Sequence, residues 1–198
     1  MASVQDDLFG PDPARPEGLV YRPELLTRTE EAALLERLQA LPFRPFEFQG
    51  FLGKRETVSF GWSYRFDGSG LAPAEPMPDW LLPVRDEAAA FAGVAPEALE
   101  HALLIRYGEG AGLGWHRDRP VFGDVIGISL LAPAPLRFRR RHGEKWQRFT
   151  LGVEPRSAYL LRGPARSEWE HSIPPVAALR YSVTLRTMKA SRGVPREA

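Results

Sequence analysis

Leu34, Leu38 and Leu41 recur at helical intervals after Thr27, and Pro42 closes the run. Thr27 and Glu30 have capping-box spacing, so this helix is predicted to start at Thr27. A second helix is predicted from about Asp79 to Ala92, beyond a connector holding Pro73, Pro76 and Pro78. Between the two, Phe43 to Phe66 is rich in aromatics and glycine, with Phe46 and Phe48 alternating. That stretch reads as strands joined by a turn near Gly50 to Arg55. After Pro96 the period changes to that of strands. Ala102 to Tyr107 predicts a strand and Gly108 to Gly114 a glycine-rich loop. Further strands are predicted at Val125–Leu131, Leu136–Arg140, Trp146–Val153, Ala158–Arg162 and Arg180–Arg186. Leu136 and Phe138 alternate with Arg137 and Arg139, as in a strand with one buried face.

Helices first and many short strands later predict an α+β protein with a double-sheet β core and no internal repeats. Residues 1–17, with Pro11, Pro13 and Pro16, read as an irregular arm, and 189–198 as a frayed tail around a single domain at 18–188.

Composition narrows the chemistry. Hydrophobic residues at 43% and charged residues at 26% are ordinary globular values, and 198 residues suffice for a real core. The sequence holds no apolar run of membrane-span length and no signal-peptide apolar region, which predicts a soluble, cytoplasmic monomer. Cysteine is absent, so disulfides, thiolate metal sites and a cysteine nucleophile are excluded. Any metal must use nitrogen and oxygen ligands. The net charge of +1 hides a local concentration. From Arg137 to Arg148 six cationic side chains stand against Glu144 alone, which reads either as a solvated hairpin or as a phosphate-contacting patch.

His116 and Asp118, in Gly114-Trp115-His116-Arg117-Asp118, are two residues apart and so share one side of an extended strand. One more histidine would complete the facial triad of a non-haem Fe(II) site. His171 is available downstream, in what reads as a loop, although spacing alone does not single it out. In Arg180-Tyr181-Ser182-Val183-Thr184-Leu185-Arg186 the even positions are polar and the odd ones apolar. In an open sheet the polar face would meet solvent; inside a small barrel it would build an anion pocket. Arg180 and Arg186 lie roughly 20 Å apart along such a strand, so they would hold different parts of that pocket.

The combination of Tyr107, Trp115-His116-Arg117-Asp118, His171 and Arg180 to Arg186 resembles the AlkB-like family of Fe(II)- and 2-oxoglutarate-dependent dioxygenases. The resemblance covers roughly Phe43 to Thr187. It implies a double-stranded β-helix (jelly-roll) core at about 100–187, with N-terminal helices and a nucleotide-recognition lid at about 43–66. It implies Fe(II) on His116, Asp118 and His171, with O2 as co-reactant. Tyr107, Arg180, Arg186 and the Ser182 position would serve 2-oxoglutarate. Within the lid it implies Trp62 or Tyr64 as the residue that stacks on an extruded base, with Lys54 and Arg55 on phosphates. The implied reaction is oxidative demethylation of N-alkylated bases in DNA or RNA, releasing formaldehyde, succinate and CO2.

The chain departs from the family pattern at three places. Ile105 and Ser182 stand where the family has asparagine, and Arg119-Pro120 follows Asp118 where an acidic residue is often found. The arginines and metal ligands are intact, so the departures bear on cosubstrate affinity and substrate choice. Rival readings are the same chemistry on a protein or small molecule, a non-catalytic nucleic-acid-binding jelly-roll, and a zinc hydrolase. In the last of these the inward arginines have no evident task.

Overall fold

The computed structural model describes residues 15–48, 51–65 and 70–189. The predicted N-terminal arm, apart from residues 15–17, and the predicted tail beyond Lys189 lie outside them. In chain order the elements are β1 (Leu19–Arg22), α1 (Arg28–Gln39), β2 (Arg44–Phe48), β3 (Phe51–Phe60), β4 (Trp62–Arg65) and β5 (Gly70–Pro73). These are followed by α2 (Leu82–Ala92), β6 (Leu99–Tyr107), β7 (Leu113–His116), β8 (Phe122–Leu130) and β9 (Ala134–His142). The last are β10 (Lys145–Val153), β11 (Ala158–Leu161), α3 (Gly163–Ser167), β12 (Glu170–Ile173) and β13 (Arg180–Met188).

A seven-stranded antiparallel sheet runs β1-β11-β8-β13-β6-β3-β2, and a four-stranded one runs β10-β9-β12-β7. Together they form the double-stranded β-helix. The alternation along β13 sorts its side chains into two layers. Tyr181, Val183 and Leu185 join Leu34, Leu38 and Ala88 in the cluster between the large sheet and helices α1 and α2. On the opposite face Arg180, Ser182, Thr184 and Arg186 point between the sheets, and all four are buried. The barrel alternative is the one realised.

Helix α1 begins as its sequence dictates. The Glu30 N–H donates to Thr27 Oγ1 at 3.2 Å, and the Thr27 N–H donates to Glu30 Oε2 at 2.7 Å. It ends at Gln39, before Pro42. The second helix is entered through a 3-10 turn at Asp79–Leu81 and capped by Gly93 at φ +66°. No helix among the described residues is long and apolar enough to cross a membrane.

Three expectations are corrected. Of the turn placed near Gly50 to Arg55, Gly50 lies outside the described residues, and Gly53, Lys54 and Arg55 belong to β3, where Arg55 to Phe60 pair with β6. The stretch read as a lid therefore begins as an edge of the large sheet. The chain leaves that edge at Gly61, where φ is +75° and a Cβ would sit 2.0 Å from the Glu100 carbonyl oxygen. His171 lies on a strand and not in a loop. Strands β1, β5, β7 and β12 and the five-residue α3 were not legible in the sequence; four or five residues rarely establish a period, although β11, equally short, was anticipated.

Candidate active site

β7 and β12 pair so that His116 and His171 are directly opposite, with ring centroids 4.3 Å apart. Asp118 follows two residues later, and its Oδ2 lies 3.6 Å from His171 Nε2. One ligand atom from each of the three lies within 4.8 Å of the others. The His116 Nδ1 is 2.9 Å from the Gly114 carbonyl oxygen, which assigns the proton to Nδ1 and leaves Nε2 to bind. Burial lowers the affinity of both histidines for protons. For His171, burial first, and then the neighbouring His116, push the value down to about 3 against the pull of Asp118. Neutral imidazole is the form a metal needs.

Burial alone would raise the Asp118 carboxyl, but Arg186, followed by His171 and His116, holds it well below the usual range. Arg186 donates from Nε to Asp118 Oδ1 at 3.0 Å, and its Nη2 lies 2.8 Å from the same oxygen in an ion pair. The other carboxylate oxygen, Oδ2, is buried with no hydrogen-bond partner and faces the histidines. An orphaned anionic oxygen beside two neutral imidazoles fits a divalent cation held by three protein ligands with positions left open. Arg186 therefore orients a carboxylate that could hold a metal, a role the sequence did not reveal. Behind it stands His101, also unanticipated, with Nδ1 3.2 Å from Arg186 Nη1 and its ring stacked on Phe122 at 4.8 Å. Burial and the Arg186 charge push His101 to about 3, so it is neutral and accepts from Arg186.

Next to these ligands lies a cavity of about 60 Å3 whose lining includes Tyr107, Tyr159, Arg180, Ser182 and Thr184. Arg180 is 1% exposed, lies over the Tyr107 ring at 4.8 Å and donates from Nη2 to Ser129 Oγ at 3.0 Å. Its Nε and Nη1 are buried without acceptors. Two unpaired donors on one guanidinium match a carboxylate, which 2-oxoglutarate carries at each end. Arg55, expected on nucleic-acid phosphates, instead lines this cavity, in register with Tyr107 and thus in one row with Arg180 across β3, β6 and β13. Lys54 is exposed. Trp62 sits half-buried on β4 opposite Pro73 and does not line the cavity, and the Tyr64 side chain lies outside the described residues.

Tyr159 was missed altogether. It pairs with Gly127, which in turn pairs with Thr184, and its ring crosses over Gly127 so closely that a Cβ there would be 2.1 Å from Cζ. Burial raises the phenol's proton affinity, so it remains a hydrogen-bond donor. A glycine inside a strand is the sequence signal of such an approach. Gly127→Ala is expected to push Tyr159 out of the cavity, raise the KM for 2-oxoglutarate about 10-fold and cost about 1–3 kcal/mol of stability. Steady-state kinetics with urea unfolding checks this, and no change in either quantity contradicts the placement.

Residues 18–192 match the sequence profile of the 2OG-Fe(II) oxygenase superfamily, and the chain belongs to that superfamily as an AlkB-like member. The family's Fe(II), 2-oxoglutarate and O2 are thus the groups this site has to accommodate. Among similar curated proteins is an "alkylated DNA repair protein ALKBH8 homolog" of Arabidopsis thaliana, 27% identical over 79% of this chain and 51% of its own length. Another is a "probable RNA/DNA demethylase ALKBH6" of Danio rerio, 28% identical over 56% of this chain and 45% of its own. A Xenopus tropicalis tRNA (carboxymethyluridine(34)-5-O)-methyltransferase, alkbh8, is 23% identical over 82% of this chain but only 26% of its own. The chain thus spans about half of the first two and about a quarter of the third. In three dimensions it resembles OsALKBH1, with a TM-score of 0.68, 15% identity, and coverage of 87% of this chain and 97% of that one. That likeness supports the jelly-roll fold.

Proposed function

We propose that this chain oxidatively removes N-alkyl groups from nucleic-acid bases. For an N-methyl group, one 2-oxoglutarate and one O2 are consumed and one formaldehyde, one succinate and one CO2 are released, leaving the N–H base. Bound Fe(II), together with 2-oxoglutarate and O2, would supply the oxidising power. The protein's own part is orientation and exclusion of water. Arg186 holds Asp118 so that Oδ2 faces the histidines, and the Gly114 carbonyl fixes the His116 tautomer. Arg180, in one row with Tyr107 and Arg55, receives a cosubstrate carboxylate. The observation that carries this reading is the pairing of two unsatisfied groups in one buried site, Asp118 Oδ2 and the Arg180 Nε and Nη1 donors.

Nucleic acid is favoured as substrate by the names of the curated relatives, which refer to alkylated DNA, to RNA or DNA demethylation and to tRNA. A second reading keeps the chemistry and changes the substrate to protein or a small molecule. Its support is Arg119-Pro120 after Asp118 and the position of Trp62 off the cavity wall. Formaldehyde release from N-methylated DNA, RNA and peptides separates the two. Release from oligonucleotides is expected, with Trp62→Ala losing it far more than uncoupled 2-oxoglutarate consumption. Release from peptides alone rejects the nucleic-acid reading, and equal loss of both activities rejects Trp62 as a stacking residue.

A further inference from the structure

The outer face of the small sheet is built from aromatic and cationic side chains that lie against one another. Arg137, Arg139 and Arg141 alternate along β9 with the inward Leu136 and Phe138. Their register partners on β10 are Thr150, Arg148 and Trp146, which therefore share that face. Trp115, beside the ligand His116 but turned outward, meets Arg137 at 5.3 Å and Arg139 at 4.4 Å. Trp146 meets Arg139 and Arg141, each at 4.6 Å. The result is a continuous ladder in which guanidinium planes and indole rings alternate. At its end lies a groove of about 490 Å3 whose lining includes Arg117, Arg140, Arg141 and Trp146. Arg117 separates His116 from Asp118 in the chain, so the groove reaches the back of the metal-ligand segment.

Charge is concentrated on the β9–β10 hairpin and the segments beside it, with Arg140 and Lys145 on the hairpin's other face. The six cations of Arg137–Arg148 together with Arg117 stand against Glu144, Glu168 and Glu170, seven positive against three negative. That leaves +4 here on a chain whose total is +1, so the rest of the chain sums to −3. Glu170 pairs with Arg139 at 2.6 Å and Glu168 with Arg140 at 2.5 Å, which fixes those two as scaffold. Arg137, Arg141 and Arg148 have no carboxylate partner among the described residues. Stacking immobilises a guanidinium while leaving its N–H edge for an oxyanion, so less entropy is lost on binding. Guanidiniums two residues apart on a strand repeat about every 6.8 Å, comparable to one nucleotide of an extended strand.

We propose that this face is a strand-binding surface for single-stranded nucleic acid, taking phosphates on Arg137, Arg141 and Arg148 and bases against the half-buried guanidinium–indole ladder. The inference rests on the nucleic-acid reading above and places the substrate strand outside the catalytic cavity. An acidic peptide would satisfy the charges but leave the planar surfaces without a purpose, whereas a polynucleotide uses both.

The test is fluorescence anisotropy of unmodified, labelled oligothymidylate and oligouridylate, about 20 nucleotides long, so that several phosphates can engage at once. The expected result is binding that weakens with salt. Arg141→Glu with Arg148→Glu should lower affinity about 10-fold and make the log–log salt slope shallower by about 2. Arg141→Gln with Arg148→Gln should fall between, with unfolding midpoints and uncoupled 2-oxoglutarate consumption unchanged in both. Affinity unaltered by the Glu pair overturns the proposal. So does displacement by polyglutamate as effective as by oligonucleotide at equal charge. If the wild type binds through this face but releases formaldehyde from no methylated oligonucleotide, the proposed function fails while this surface stands. Demethylation of oligonucleotides by the Glu pair at the wild-type rate and KM removes this surface and leaves the proposed function standing.

Discussion

Asp118→Ala is expected to abolish 2-oxoglutarate turnover and, in the same variant, to cost about 3–5 kcal/mol of stability. The first effect follows from loss of the one anionic member of the ligand set. The second follows from Arg186, which is 7% exposed and is both hydrogen-bonded and ion-paired to Asp118 Oδ1. Without the carboxylate its positive charge is buried beside the neutral His101 alone. Asp118→Asn separates the two consequences. It keeps an acceptor near Arg186 and removes the ligand charge, so turnover is lost with a smaller stability loss. Urea unfolding alongside succinate formation checks the pair. Turnover within a few-fold of wild type removes Asp118 from the metal site, and an Ala variant as stable as the Asn variant refutes the role given to Arg186.

Arg180→Met should act in the opposite sense on stability while damaging cosubstrate binding severely. Arg180 is fully buried, yet Nε and Nη1 have no acceptor, and such groups cost free energy in the folded protein. Methionine retains much of the volume over Tyr107 and removes the unpaired charge. The variant is therefore expected to be at least as stable as wild type without cosubstrate. Its KM for 2-oxoglutarate should rise about 100-fold, the equivalent of about 2.7 kcal/mol for a lost charge-assisted contact. Arg180→Lys should recover only part of the loss, because an ammonium cannot supply the planar two-donor edge. An unchanged KM removes Arg180 from the cosubstrate site. Marked destabilisation of the Met variant instead makes the guanidinium a structural group.

Much of the site was legible in the sequence. The two-residue step from His116 to Asp118 and the polar face of Arg180 to Arg186 are local patterns; β13 converts the second directly into geometry, whereas β7 ends at His116 and Asp118 lies just beyond it. The two long helices were also legible, α1 from a capping box and a repeating leucine stripe written within one segment, and α2 from the run that follows the proline-rich connector. His101, Arg55, Gly127 and Tyr159 were not. Each acquires its place from a partner far away in sequence: His101 opposite Arg186, Arg55 opposite Tyr107, Gly127 between Tyr159 and Thr184. His171 was identified as a residue but misplaced in a loop. The strand that carries it is only four residues long and is defined by its pairing with β7 and β9.

Sequence by itself supplied the candidate groups: histidines and a carboxylate that could hold a metal, arginines that could hold a carboxylate, and no thiol to compete. It also determined that β13 has one polar and one apolar face. Tertiary structure alone decided that the polar face turns inward, that Arg186 serves Asp118 while Arg180 keeps two donors unsatisfied, and that the Arg137–Arg148 cations divide between scaffold and accessible surface. The physical reason is that periodicity fixes direction within an element, whereas register between strands fixes which buried charges meet. Burial then makes each such meeting, or its absence, energetically decisive.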